Sequence, residues 1–205
     1  VISVSKTHNK ENINRTHEES IEELAKIREA FPELRINVAL ATVFGCPFEG
    51  EVTAEQTIEL IEKVLSYQVD VVALSDTIGV AVPAQIIEVV EKVRAKFPQL
   101  PLSLHMHDTH GRGLLNVWTG LALGVNRVEV AAGGLGGCPF APGAAGNLGT
   151  EDLISLLDRS GIKSGVDLEK LLEAVKFAKE EIEPNLLSHL SKSRSYQELS
   201  FHTIK

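Results

Sequence analysis

Leu102-Ser103-Leu104-His105-Met106-His107-Asp108-Thr109-His110-Gly111 begins as an alternating apolar run and ends as a turn. Alternation of period two reads as a β-strand, which puts His105 and His107 on one face and Met106 on the other. One unit upstream, the Val-rich run 69–75 ends in Asp76-Thr77-Ile78-Gly79, an echo of Asp108-Thr109-His110-Gly111. The stretch between is an amphipathic helix, with Pro83 at a first helical position and Phe97-Pro98 as its stop. Two strands joined through a helix run parallel, because a short hairpin cannot connect them. The same alternation extends outward, with further strands expected at 1–5, 36–43 and 127–132. One helix carries Ile21, Leu24, Ala25 and Ile27 on a single face; the next opens on the capping box Thr53-Ala54-Glu55-Gln56, and another covers 113–123. The class is α/β. The repeat suits a doubly wound sheet or a (βα)8 barrel. Gly133-Gly134-Leu135-Gly136-Gly137 follows a strand but lacks the dinucleotide spacing, which weakens the doubly wound alternative. Helices are expected at 150–160 and from Asp167 to about 181, with no strand after them.

Composition narrows the function classes. The 205 residues are 43% hydrophobic with a mean hydropathy of +0.05, enough to bury one core. A net charge of -8 and a pI near 5.4 disfavour nucleic acid as a partner. No apolar run reaches bilayer length, and the N-terminus has no signal-peptide pattern, so no membrane association is expected. Asn14-Arg15-Thr16 matches a glycosylation sequon, but Thr16 and Glu19 read better as a capping box. The two cysteines, Cys46 and Cys138, each stand in Gly-Cys-Pro-Phe and are expected to be free thiols. Val1 lies inside an expected strand, which predicts further chain upstream. Only five strands are countable, against the eight of a barrel.

The chemistry-bearing residues cluster at strand ends. His105 and His107 can grip one divalent cation, at the strand end where barrel enzymes place their sites. Asp76 reads equally as a turn anchor or as a carboxylate that orients a histidine or accepts a proton; Asp108 reads first as a turn or cap residue. Cys138 sits in a glycine-dense loop able to move over a site. Asn147 ends that loop with an amide oxygen able to ligate a cation. Cys46 has the simpler reading of a small apolar residue in a turn.

Taken together, Asn12-Ile13-Asn14 with Glu18-Glu19-Ser20, Phe44-Gly45-Cys46-Pro47-Phe48-Glu49-Gly50, Asp76-Thr77-Ile78-Gly79, His105-Met106-His107-Asp108-Thr109 and Leu135-Gly136-Gly137-Cys138-Pro139 resemble 3-hydroxy-3-methylglutaryl-CoA lyase over residues 1–177. The resemblance implies a (βα)8 TIM barrel of the metal-dependent lyase and Claisen-synthase superfamily, represented by its last five βα units and truncated at the N-terminus. It divides the chain into an incomplete barrel at 1–183 and a tail at 184–205. It implies His105, His107 and Asn147 as ligands of Mg²⁺ or Mn²⁺, Cys138 as the catalytic loop cysteine, either His105 or a carboxylate upstream of Val1 as the base, and Asp76 as a carboxylate lining the site. The implied reaction is retro-Claisen cleavage of an acyl-CoA to acetyl-CoA and acetoacetate, the ketone-body step of leucine degradation.

The chain departs from the family pattern in three places. It has Ala131-Ala132-Gly133-Gly134 where Ser-Val-Ala-Gly is usual, Phe140 where a Tyr usually follows Cys-Pro, and Asn37-Val38-Ala39 where an Arg-Gly-Tyr is frequent. These departures bear on the acyl group. A lyase for a related 3-hydroxyacyl-CoA, a Claisen synthase or carboxyltransferase, and an inactive fragment are the alternatives. Residues 1–205 alone are expected to be poorly active, and an exposed sheet edge to drive association into a homo-oligomer. The expected compartment is the cytoplasm, or the mitochondrion for a eukaryotic chain that has lost its targeting peptide.

Overall fold

A computed structural model describes residues 1–137 and 146–193, which fall into two compact units. The first, Val1–Glu129, carries β1 (Ile2–Ser3), α1 (Lys6–Ile13), α2 (His17–Ala30), β2 (Asn37–Ala41), α3 (Ala54–Leu65), β3 (Val71–Asp76), α4 (Pro83–Lys96), β4 (Leu102–Met106), α5 (Gly113–Ala122) and β5 (Val128–Glu129). The five strands form one sheet in chain order, every neighbouring pair parallel.

Register sorts the side chains into two faces. Leu40, Val72, Leu74, Leu104 and Met106 are fully buried on one, and Gly120 of α5 lies against Leu104 there. Each such side chain contributes about 1.5–3 kcal/mol of burial. The opposite face aligns Asn37 with Val71, Ala39 with Ala73, and Ser75 with His105 and Glu129. This face is polar. The Asn37 amide donates to Glu129 Oε1 at 2.8 Å, although β3 and β4 lie between their strands. In a flat sheet β2 and β5 would stand about 14 Å apart, beyond the reach of that pair. The sheet of this unit therefore curls around its polar face.

The helices start where the sequence marks them. Thr16 with Glu19 and Thr53 with Gln56 make reciprocal capping boxes, and Pro83 is the first residue of α4. The Asn14-Arg15-Thr16 sequon thus leads into a helix cap. The helix α1 was not expected, because Lys6–Ile13 has no apolar period. It is held instead by polar contacts around Ser3. The Ser3 N–H donates to Asn9 Oδ1 at 2.9 Å, the Ser3 hydroxyl shares a 2.6 Å hydrogen bond with His8 Nδ1, and His17 Nε2–H donates to the Ser3 carbonyl at 2.7 Å.

The second unit, described over 130–137 and 146–193, contains a single-residue parallel bridge, Ala131 to Gly149, followed by α6 (Thr150–Arg159) and α7 (Leu168–Glu181). Val175, Ala178 and Leu186 form its core. Glu151 is fully buried and accepts from the Gly133 N–H and the Ser188 hydroxyl; Asp152 accepts from the N–H groups of His189 and Leu190. Part of the stretch expected as a separate tail, residues 184–193, is thus packed and bonded within this unit. Among the described residues no helix is long and apolar enough to cross a membrane.

Candidate active site

The end of β4 builds the site. Strand alternation brings the rings of His105 and His107 together, centroids 5.4 Å apart, while Met106 is buried on the other face. His107 is 7% exposed and its Nδ1 has no hydrogen-bond partner. Burial, with His105 adding a smaller repulsion, lowers its pKa to about 4. It is a neutral imidazole at neutral pH, with a lone pair to offer.

His105 is fixed differently. Its Nδ1 lies 3.3 Å from Glu129 Oε2, one strand over. The hydrogen bond from His105 holds the Glu129 carboxyl below its ordinary range despite partial burial. An ionised carboxylate only accepts, so the proton of a neutral His105 sits on Nδ1 and the lone pair on Nε2. Sequence reasoning missed Glu129. Its signal was an acidic residue between Val128 and Val130, inside an expected strand.

Asp76 is not brought to the histidine pair. It aligns with Met106 on the helix-side face and is 1% exposed. Its two oxygens accept from the N–H groups of Val80 and Ala81, at 2.9 Å each. Burial raises its pKa, opposed by those N–H groups and by Arg112. The expected site-lining carboxylate is, in this structure, the anchor of a turn. Asp108 Oδ1 accepts from the N–H of Gly113, the first residue of α5, at 2.6 Å. Cys46 is a buried free thiol whose Sγ accepts from the N–H groups of Phe48 and Glu49, which agrees with its reading as a turn residue.

Asn147 belongs to the second unit. Its amide nitrogen donates to the Leu135 carbonyl at 2.8 Å, which turns Oδ1 the other way, buried and without a partner. Cys138 lies outside the described residues. Among those described, no group of three or more His, Cys, Asp or Glu could hold a metal ion. The residues present still fit a divalent cation in kind. His107 Nδ1 in the first unit and Asn147 Oδ1 in the second are each buried with no partner, and an imidazole nitrogen and an amide oxygen are both donors that a divalent cation takes.

Comparison with known proteins places this arrangement. The model of the HMGL-like family matches residues 1–177. The chain is 43% identical over 183 residues to hydroxymethylglutaryl-CoA lyase YngG of Bacillus subtilis, covering 88% of this chain and 61% of that protein. It is 37% identical over 177 residues to the cytoplasmic 3-hydroxy-3-methylglutaryl-CoA lyase of Rattus norvegicus, covering 85% of this chain and 52% of that one. Among solved structures, the B. subtilis HMG-CoA lyase superposes with a TM-score of 0.87 at 42% identity, over 96% of this chain and 65% of that one. The Acinetobacter baumannii HMG-CoA lyase, in complex with coenzyme A and 3-methylmalate, gives 0.89 at 36%, over 97% and 65%. The chain thus spans 61% of YngG and about half of the rat enzyme. A match that covers residues 1–177, most of the chain, makes it a member of the HMGL-like family.

Proposed function

We propose that the protein cleaves 3-hydroxy-3-methylglutaryl-CoA to acetyl-CoA and acetoacetate with a divalent cation, Mg²⁺ or Mn²⁺, and that it does so in the cytoplasm, as the rat relative is named. The observation that carries the reading is the histidine pair on one face of a parallel sheet, with His107 neutral and its Nδ1 without a partner. His107 and Asn147 would hold the cation, which when bound supplies the Lewis acidity that lowers the pKa of a substrate hydroxyl, and His105 Nε2 stays free as the base.

The chain's own residues then account for the protons. His105 Nε2 takes the proton of the tertiary hydroxyl, with Glu129 stabilising the imidazolium that results. The oxygen lone pair closes to the ketone of acetoacetate as the C2–C3 bond breaks, and its electron pair passes to the thioester enolate. The Cys138 thiol gives that enolate carbon a proton, and His105 returns its own to the thiolate. The sum consumes no proton. CoA recognition is supported by the complex of the A. baumannii relative.

One imidazole and one amide oxygen are fewer donors than Mg²⁺ or Mn²⁺ takes, about six. Residues 1–205 by themselves are therefore expected to release little acetoacetate, and the full reaction is expected when they are joined to the part of the fold that YngG has in addition. Acetoacetate release from the thioester by such a joined chain, abolished by EDTA and by His107→Ala, tests the proposal. Release that persists through both treatments would overturn it.

A further inference from the structure

We infer that Asn37 is a positioning residue for His105: its amide pins Glu129, and the pinned carboxylate holds His105 in the tautomer that carries its proton on Nδ1. The chain of contacts runs through side chains from three strands of the curled sheet. Asn37 Nδ2 of β2 donates to Glu129 Oε1 of β5 at 2.8 Å, and Glu129 Oε2 meets His105 Nδ1 of β4 at 3.3 Å. The two carboxylate oxygens are thus divided between the two partners.

Geometry says why the outer link matters. The Glu129 side chain is 33% exposed, and its bond to His105 is long. One long bond leaves a carboxylate free to rotate about its last torsion, which is broad and weakly restricted. A second bond to the other oxygen fixes the plane of the group and aims Oε2 at the imidazole. A carboxylate has no proton to offer, so the amide must present its nitrogen, and the imidazole its Nδ1–H. The consequence falls on Nε2 of His105, which keeps its lone pair. Asn37 is also the first residue of the Asn37-Val38-Ala39 departure, expected above to bear on the acyl group. Its side chain faces Glu129 instead, so that substitution bears on the orientation of the base.

The inference rests on the proposed use of His105 Nε2, and its test separates the two. Histidine is labelled with ¹⁵N in the metal-free protein at alkaline pH, and two-bond proton–nitrogen correlations read the tautomer of each ring. The unaltered protein is expected to show His105 as a single Nδ1–H form. Asn37→Ala is expected to give a mixture of both forms. Asn37→Gln, which keeps an amide donor, is expected to restore the single form; the exposed position makes all these variants safe for folding. A single Nδ1–H form that survives Asn37→Ala, or an Nε2–H form in the unaltered protein, would overturn the inference. The expected spectra together with no acetoacetate in the cleavage assay would uphold the clamp and sink the proposed reaction alone.

Discussion

Asp76-Thr77-Ile78-Gly79 and Asp108-Thr109-His110-Gly111 share three of four letters and stand at the ends of consecutive strands, yet they are used in different ways. In the first turn Asp76 is sealed from solvent with two backbone N–H groups, and Thr77 Oγ1 accepts from Thr42 N–H at 2.7 Å. The next βα unit grips the segment after it. His110 donates to the Gly79 carbonyl, Arg112 to those of Val80 and Ala81, and Asn116 to that of Ala81. In the second turn Asp108 accepts from the first N–H of α5, and the buried Thr109 hydroxyl has no partner. The first turn is a joint between units. The second turn is the gripping partner of that joint, and its own carboxylate makes a single hydrogen bond.

The sharpest way to break this contrast is to remove both carboxylates. Asp76→Ala would strand two N–H groups in a buried turn, at about 4 kcal/mol, since each unsatisfied buried donor costs about 1–3 kcal/mol. Asp108→Ala removes one hydrogen bond and should cost about 1 kcal/mol. Urea unfolding of both variants checks the ordering. Equal losses would mean that the two turns are equivalent after all.

Much of the frame could be read in advance, because it rests on local patterns. Pro83 starts α4, the Thr16 and Thr53 boxes close as read, and four of the five strands fall inside the expected runs, with β3 reaching one residue further to Asp76. What escaped has a common physical origin in distant partners. Asn37 and Glu129 are 92 residues apart, and only the curl of the sheet joins them. Asp76 opens the same Asp-Thr pair as Asp108, and it is its register against Met106 of β4 that turns it away from the histidine pair, onto the N–H groups of Val80 and Ala81. The helix α1 has no apolar face to detect; Ser3, Asn9 and His17 make it.

The two strand ends should also titrate with opposite sign. His107 has its folded pKa depressed to about 4 from 6.5, so the unfolded chain binds the extra proton across that window. Stability is then intact above about 6.5 and falls as pH drops toward about 4, by up to about 3 kcal/mol from this group. His8 and His17, also lowered chiefly by burial, act in the same direction. Asp76 is raised from 3.8, so the folded protein holds its proton longer, and its contribution falls as pH climbs through the raised value. Unfolding measured against pH should show a shallower acid slope in His107→Gln and a steeper one in Asp76→Asn. Identical slopes in the two variants would dissolve the contrast.

The glycines that close the two turns give the smallest and cleanest comparison. Gly79 and Gly111 have nearly the same backbone, with φ of +70° and +66°, so an alanine at either meets the same left-handed cost of about 1 kcal/mol. Their surroundings differ. A Cβ at Gly79 would stand 2.5 Å from Thr109 Oγ1 and 2.8 Å from Thr109 N, whereas at Gly111 nothing lies within 4 Å. Gly79→Ala must therefore move the neighbouring turn as well, for a total of about 2 kcal/mol, while Gly111→Ala stays near 1. Because backbone strain cancels between the two, the difference in their unfolding midpoints isolates the contact between consecutive βα units. A difference of zero would show that Thr109 yields freely and that the first turn is no joint at all.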